Sequence, residues 1–464
     1  MRIANHHVPR ITVFLLVLEF SIAILSVYLA AMLRFSSSSY PYNSPHNYFL
    51  YSAITFAVAI IACMSAFGMY NINYKNNLLN TLIRLASAQT AGFVLVILLF
   101  YLMPDLFLGR GILLLVTLIS SLLIFIARIL VLKSSDVSML KSRIIFLGCG
   151  DLANECRKLA KNSTSFNQYS VVGFIPTEGE ICTVPADEVL IKTEDLTNFL
   201  LHNNVMEIVV SVINKRGCQF PLQELLDCKL HGIRVSDATA FIEREACQIR
   251  VESMQPGWLI FGEGFNQSLV RRFGKRCFDL AASLIIFIFA IPTMVCAALL
   301  IYLEDQGPIL YRQERVGLNG TTYSVLKFRS MRLDAEASGT PQWATCNDPR
   351  ITRIGKILRM LRIDELPQVF NVLKGEMSFV GPRPERPFFV DQLANEIPYY
   401  NMRHSIKPGI TGMAQVRYSY AASKADTIQK LQYDLYYVKN NSLFLDMLIM
   451  IETIQVVLFG KGAR

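Results

Sequence analysis

Apolar residues along this chain gather into four runs of about 20 residues in its first third, then thin into shorter alternations. The runs, at residues 11–33, 49–69, 85–103 and 111–132, are each long enough to cross a bilayer as a helix. From residue 143 the pattern changes. Short strand signatures at 144–147, 171–175, 208–212 and 233–235 alternate with helical stretches, which predicts a soluble α/β domain with a parallel sheet. A fifth apolar stretch, 280–303, follows, and beyond it the sequence turns basic and rich in glycine and proline turns. A last apolar run, 443–459, contains Asp446, Glu452 and Gln455 and reads as an amphipathic helix, not a span.

Loop charges orient the membrane part. Arg2 and Arg10 precede the first run, Lys75 and Arg84 lie between the second and third, and Lys133, Lys141 and Arg143 follow the fourth. The other two loops carry only Arg34 and Arg110 as basic residues. The positive-inside rule then places the N-terminus, and everything after the fourth span, in the cytoplasm. The first run is too long for a removable signal peptide and lacks a small-residue cleavage site. Around the fifth stretch, Arg271, Arg272, Lys275 and Arg276 stand on one side and Arg312, Arg315, Lys327, Arg329 and Arg332 on the other. Both flanks look cytoplasmic. Pro292 cannot donate to the carbonyl of Ile288, so a helix break is expected there. We therefore expect a re-entrant helix–break–helix over about 278–303, with a proline-kinked span as the competing reading. The expected domains are a four-helix membrane domain (1–135), a Rossmann-like, CoA-binding-like domain (143–250) and a mainly α monotopic domain (270–464).

Composition narrows the partners. The chain is 52% hydrophobic and only 17% charged, with a net charge of +9, which suits anionic lipid headgroups or phosphorylated ligands. No nucleic-acid motif accompanies the charge, so no nucleic acid is expected. The ten cysteines show no zinc spacing; Cys63 and Cys296 fall in apolar runs and the rest are scattered, as in a reducing cytosol. Gly148-Cys149-Gly150-Asp151-Leu152-Ala153 is a partial dinucleotide fingerprint in the right strand–turn–helix setting. Yet the strand ending at Ile175 runs into Pro176 and Thr177 where a ribose-binding acid belongs, and Glu178 and Glu180 come late. A structural or regulatory module with no bound cofactor is the expectation. Tyr420 and Lys424, in a Tyr-x-x-x-Lys string about 270 residues downstream, are read as chance.

The chemistry centres on Leu361-Arg362-Ile363-Asp364-Glu365-Leu366-Pro367-Gln368. Pro367 is tolerated only in a first turn, Leu366, Phe370 and Leu373 repeat at helical spacing, and Gly375 ends the run. Asp364 is thus expected at a helix start, where N–H groups point outward and favour phosphate. A carboxylate there can attack phosphorus, with Glu365 beside it to bind a metal or handle a proton. Taken alone, the octapeptide is better explained as an ordinary Asp N-cap with an acidic neighbour in the first turn. What tips the balance is the surrounding set: Arg312-Gln313-Glu314-Arg315-Val316-Gly317, Lys327-Phe328-Arg329-Ser330-Met331, Asn347-Asp348-Pro349-Arg350, Phe379-Val380-Gly381-Pro382-Arg383-Pro384-Glu385 and Lys407-Pro408-Gly409-Ile410-Thr411-Gly412. Together they put fixed cations and turn glycines around one dyad, as a diphosphate requires. Lys327 and Arg329, two apart, would share one face of a strand.

In this order the fragments resemble the bacterial sugar transferases, the monotopic phosphoglycosyl transferases, over roughly residues 275–464. The whole layout is similar to the large, exopolysaccharide-type polyprenyl-phosphate hexose-1-phosphate transferases. The resemblance implies that Asp364 attacks the β-phosphorus of a UDP-sugar, UDP-glucose or UDP-galactose by subclass, and expels UMP. Polyprenyl phosphate would then take the sugar phosphate from the aspartate. It further implies Mg2+ held by Asp364 and Glu365, substrate contacts from Lys327, Arg329 and Arg383 and from Arg312 and Arg315, a place at the membrane lipids, and a homodimer. Three other readings differ in one observable each. A non-catalytic nucleotide sensor would lack turnover, a sugar-nucleotide dehydratase would need NAD, and a conventional glycosyltransferase would release UDP.

Overall fold

Four apolar helices form where the first four runs predict them: Arg10–Phe35, His46–Ala66, Leu78–Leu102 and Arg110–Lys133. The computed structural model describes residues 2–3, 6–7, 10–35, 46–70, 78–106, 108–133, 141–162, 169–177, 180–190, 195–212, 220–251, 264–265, 268–335, 348–418 and 423–458. Lys75, Glu178, Asn347, Tyr420 and the final residues 459–464 lie outside them. Two compact units emerge, His7–Ala246 and Cys247–Arg464, the second also taking in Arg2–His6.

In the first unit, small residues such as Ala23, Ala30, Ala53, Ala57 and Ala88 are buried between the helices, while Leu25, Leu98, Leu118 and Leu122 face outward. That distribution suits lipid surroundings, where outward leucines are solvated and small residues let helix backbones approach. A buried ion pair links the first and last helices. Arg128 donates through Nε to Glu19 Oε1 at 2.6 Å and through Nη2 to Oε2 at 3.1 Å, and its Nη1 bonds the Met69 carbonyl at 2.9 Å. Either charge alone would be costly in hydrocarbon, so the pair fixes the helix register.

The α/β sheet has four parallel strands in the order Tyr169–Ile175, Ser142–Leu147, Glu207–Val210, Arg234–Asp237. Ile144 and Phe146 pack on one face with Ala153, Cys156 and Phe241, and Ile145 and Leu147 pack on the other with Leu200, Ile208 and Leu225. Both faces being covered explains why these strands read as continuous apolar runs. One expectation fails here. Cys149 and Cys182 form a disulfide, with Cα atoms 4.7 Å apart, although their separation of 33 residues carries no spacing signal. Past Ala246 the chain enters the second unit, whose core takes in Cys247, Ile249 and Val251.

The second unit is built on one helix, Leu269–Asp305. It runs uninterrupted through Pro292, so the expected division into two helices is not observed. Proline removes one hydrogen bond, which bends a helix without having to end it. A straight helix of 37 residues would reach about 55 Å, well beyond a bilayer core of about 30 Å. Both of its arms are tied into this unit. Before Pro292, Lys275 Nζ donates to the Val380 carbonyl at 3.1 Å and to Asp446 Oδ2 at 2.8 Å, and Asp279 accepts from Ser378 Oγ and Phe379 N at 3.0 Å each. After it, Ala297 and Ile301 are buried with Phe328 and Leu358, and Glu304 accepts from Arg353 N at 2.9 Å. Ile288, Phe289 and Ile291, around the proline, are exposed. Among the described residues, five helices, this one included, are long and apolar enough to cross a membrane. The last helix, Leu443–Leu458, packs on the unit through Leu445, Asp446 and Ile449. Its acids turn inward, Asp446 to Lys275 and Glu452 to Arg417, while Leu443, Met447, Ile454 and Val457 are exposed, so the polar-outward arrangement of an amphipathic helix is not observed.

Candidate active site

Three local structures converge on the dyad. The first is the antiparallel hairpin Leu310–Val316 with Thr322–Phe328, in which Tyr311 faces Lys327 and Arg315 faces Tyr323. By strand alternation Arg315 and Lys327 lie on one face and Arg312 on the other. The second is the turn Ile363–Glu365 leading to helix Gln368–Lys374. The third is the loop carrying Arg383, which leaves strand Ser378–Val380 where that strand pairs in parallel with Gly409–Thr411. Backbones cross closely there: a Cβ on Gly381 would lie 2.4 Å from the Lys407 carbonyl oxygen.

Asp364 is not the N-cap that its sequence suggests. It sits in a 3-10 turn, and Pro367 precedes the first residue of the helix with no side-chain cap. With no N–H on Pro367, the Ile363 carbonyl is bonded instead by Leu366 N at 3.1 Å, the tighter 3-10 pattern. Arg362 enters the turn at φ +59°. The end of the helix is as expected, with Gly375 left-handed at φ +90°.

The two carboxylates have different surroundings. Glu365 Oε1 accepts from Arg383 Nη2 at 2.9 Å and from Lys327 Nζ at 3.2 Å, and Arg362 Nη1 stands 3.9 Å from Oε2. Burial disfavours its charge, but Arg383, Lys327 and Arg362 outweigh it and hold the carboxyl well below the ordinary range. Asp364 is 9% exposed and accepts no hydrogen bond among the described residues. Burial, then the adjacent Glu365, push its carboxyl above the ordinary value against the pull of Lys327, Arg359 and Arg383. Burial likewise lowers Lys327 below the usual lysine value, opposed by Glu365. A cleft beside the dyad is lined by Arg315, Lys327, Gln368, Arg383 and Gly409.

The other expected cations divide. Arg315 lines the cleft while its Nη1 bonds the Pro384 carbonyl at 3.0 Å. Arg329 lies past the strand end at Phe328 and pairs with Asp305 at the foot of the long helix, so it does not share a face with Lys327 toward the dyad. Arg312 is exposed on the opposite face of the hairpin. Lys424, half of the Tyr-x-x-x-Lys string, pairs with Glu396 at 3.1 Å.

Sequence reasoning passed over the residues that hold this geometry. Asn371 clamps the dyad helix to the hairpin: its Oδ1 accepts from Leu326 N at 3.0 Å and its Nδ2 donates to the Ser324 carbonyl at 2.8 Å. Arg403 Nη2 donates to the Arg383 carbonyl at 2.9 Å and to Asp434 at 2.7 Å. A buried Asn inside an apolar helical run was the available signal for the first; an Arg and an Asp 31 residues apart gave none for the second.

Fold and site together define a membrane-associated protein with a carboxylate dyad set in a cationic cleft. The model of the family described as bacterial sugar transferase matches residues 270–460. "Exopolysaccharide production protein PSS" of Rhizobium leguminosarum bv. phaseoli is 43% identical over 198 residues, which is 40% of this chain and 97% of that protein. The chain belongs to the bacterial sugar transferase family. It is also 50% identical over 197 residues to "UDP-N-acetylgalactosamine-undecaprenyl-phosphate N-acetylgalactosaminephosphotransferase" of Aeromonas hydrophila, covering 42% of this chain and 46% of that one. With "UDP-glucose:undecaprenyl-phosphate glucose-1-phosphate transferase" of Escherichia coli (strain K12) it shares 39% identity over 198 residues, 42% of each chain. The matches thus span less than half the length of these last two relatives.

Proposed function

We propose that this protein transfers a sugar-1-phosphate from a UDP-sugar to polyprenyl phosphate, with Asp364 as nucleophile. The observation that carries the reading is the asymmetry of the dyad: Glu365 is held by Lys327 and Arg383, while Asp364 beside it keeps its oxygens free of hydrogen bonds among the described residues. An Asp364 oxygen attacks the β-phosphorus, the bond to the leaving UMP breaks, and a sugar-phosphoryl aspartate remains. An oxygen of polyprenyl phosphate then attacks that phosphorus and frees the Asp364 carboxylate, giving polyprenyl diphosphate-sugar. Lys327, Arg383 and Arg315 neutralise the phosphate oxygens as charge shifts onto UMP. Glu365 holds Lys327 and Arg383 in place, and their charge keeps it ionised and a weak base.

A magnesium ion fits these residues. Mg2+ takes one or two carboxylates and completes its shell with substrate phosphates and water, and the nearly buried Asp364 has unused oxygens to offer. Glu365 has only Oε2 to contribute, because Oε1 is taken by two cations. Bound there, the ion would supply further charge neutralisation for the diphosphate.

The same reading places the α/β and C-terminal units on the cytoplasmic side of the bacterial inner membrane, where nucleotide sugars are. The tethering of both arms of Leu269–Asp305 to one compact unit supports a re-entrant anchor, since arms on opposite sides of a bilayer could not share one unit. UDP-glucose, UDP-galactose and UDP-N-acetylhexosamines are the candidate donors. The test is incubation with each donor without lipid, followed by mass spectrometry. One donor should give UMP and a sugar-phosphate adduct on the peptide containing Asp364, discharged when polyprenyl phosphate is added. Release of UDP, or turnover with no adduct, would replace this reading with direct transfer.

A further inference from the structure

The glycine turn of the α/β domain holds a feature that transfer does not use. In dinucleotide-binding turns of this shape, the N–H groups entering the helix receive a phosphate. Here they receive the chain's own carboxylate. Cys149 N donates to Glu180 Oε2 and Gly150 N to Glu180 Oε1, each at 3.0 Å, and Thr177 Oγ1 donates to Oε2 at 2.8 Å. Gly150 is needed for this approach, because a Cβ there would lie 2.7 Å from Glu180 Oε1. Two residues beyond Glu180, Cys182 is bonded to Cys149, and Thr183 N donates to the Cys149 carbonyl at 2.8 Å. The segment from Glu180 to Thr183 therefore closes over the turn as a strap, fastened by a carboxylate and by a sulfur. Cys149 is buried and Cys182 exposed, so a thiol or disulfide in solution reaches the bond from the Cys182 side.

We propose that Cys149 and Cys182 are a reversible redox site that locks Glu180 in the anion-receiving position of the turn. The inference goes beyond the transfer reaction and takes only the cytoplasmic placement from it: in a reducing compartment a disulfide is typically transient and sensing. Closure needs a low-molecular-weight disulfide such as oxidised glutathione. The Cys182 thiolate attacks it, one glutathione thiol leaves, and the Cys149 thiolate then displaces the second from the mixed disulfide. Two cysteine thiols are oxidised, two glutathione thiols are formed, and a dithiol reverses the exchange. With the bond closed, the carboxylate offsets the positive end of helix Asp151–Asn162 and occupies the place an anion would take. With it open, only hydrogen bonds hold the strap.

The test uses the full-length protein in detergent, treated with oxidised glutathione or with dithiothreitol, then alkylated and mapped by mass spectrometry. The oxidant should yield a Cys149–Cys182 linked peptide, and dithiothreitol should leave both residues alkylated without unfolding the protein. Amide hydrogen exchange at Cys149 and Gly150 should be about tenfold faster in the reduced form. Cys182→Ser, at an exposed position, should keep the fast rate under both treatments; the comparison of the two wild-type forms stands without it. Free thiols after oxidant, a bond that resists dithiothreitol in the folded protein, or equal exchange in the two forms would each overturn the proposal. None of these readouts depends on UMP release, so failure of the transferase reading leaves them intact.

Discussion

Glu180 and Asp364 both stand beside a turn that leads toward a helix, and the fold uses them in opposite ways. Glu180 is fully engaged: two backbone N–H groups and a threonine hydroxyl bond its oxygens. Asp364, more buried, accepts no hydrogen bond among the described residues, and burial with Glu365 beside it holds its carboxyl above the ordinary range. A buried polar group without partners is costly, so it is retained where something else completes it. The contrast separates a motif from a site. The glycine turn keeps the shape of a phosphate cradle and fills it from within, whereas the dyad has no fingerprint glycines and keeps its binding capacity open.

Asp364→Asn should lower UMP release by about 10⁴-fold or more, as loss of a nucleophile does. Its effect on stability should run the other way. A carboxyl whose folded pKa lies above its unfolded value makes stability fall as pH rises from the unfolded value through the folded one, because the folded state binds the proton more tightly. Asparagine removes that cost. The variant should melt at or above the wild-type temperature at neutral pH, and the advantage should vanish in acid below the unfolded value. An inactive variant that also melts lower at neutral pH would make Asp364 a structural residue.

Glu365→Gln should show the reverse balance. It removes the carboxylate shared by three ion pairs, the close ones to Lys327 and Arg383 and the longer one to Arg362. The expected loss is about 2 kcal/mol by chemical denaturation, below the ~3–5 kcal/mol of a fully buried pair because Arg383 is 36% exposed. The folded pKa of Glu365 is depressed, so its contribution is present above the unfolded value and is lost as pH falls toward the folded one. Turnover should drop about 10²-fold. Unchanged turnover with lowered stability would restrict Glu365 to holding the cations.

The four apolar helices and the parallel sheet were legible because each rests on local pattern, and Asp364 and Glu365 stood out as two acids among basic fragments. What was not legible depends on distant residues or on where an element ends. Lys327 and Arg329 read as strand neighbours, but the strand stops at Phe328 and Arg329 turns to Asp305. Pro367 read as part of the first turn of a helix opened by Asp364, but the missing N–H favours a 3-10 turn and delays the helix to Gln368. The pairs Arg403–Asp434, Glu19–Arg128 and Cys149–Cys182 are 31, 109 and 33 residues apart, and only tertiary folding brings their members together. Cys182 and Glu180 gave no hint that they close the turn that Gly148 and Gly150 opened.

Glu180→Gln keeps the size of the side chain and one accepting oxygen, but turns an amide NH2 toward a backbone N–H that the carboxylate satisfied. One charge-assisted hydrogen bond is lost, worth about 1 kcal/mol at this partly exposed position. The residue belongs to the turn and not to the dyad, so UMP release should match the wild type. Exchange of the Cys149 and Gly150 amides should quicken about fivefold, the rate equivalent of that energy. If instead UMP release fell with Glu180→Gln while thermal stability held, the turn would serve transfer, and the division between a self-filled cradle and an open dyad would no longer stand.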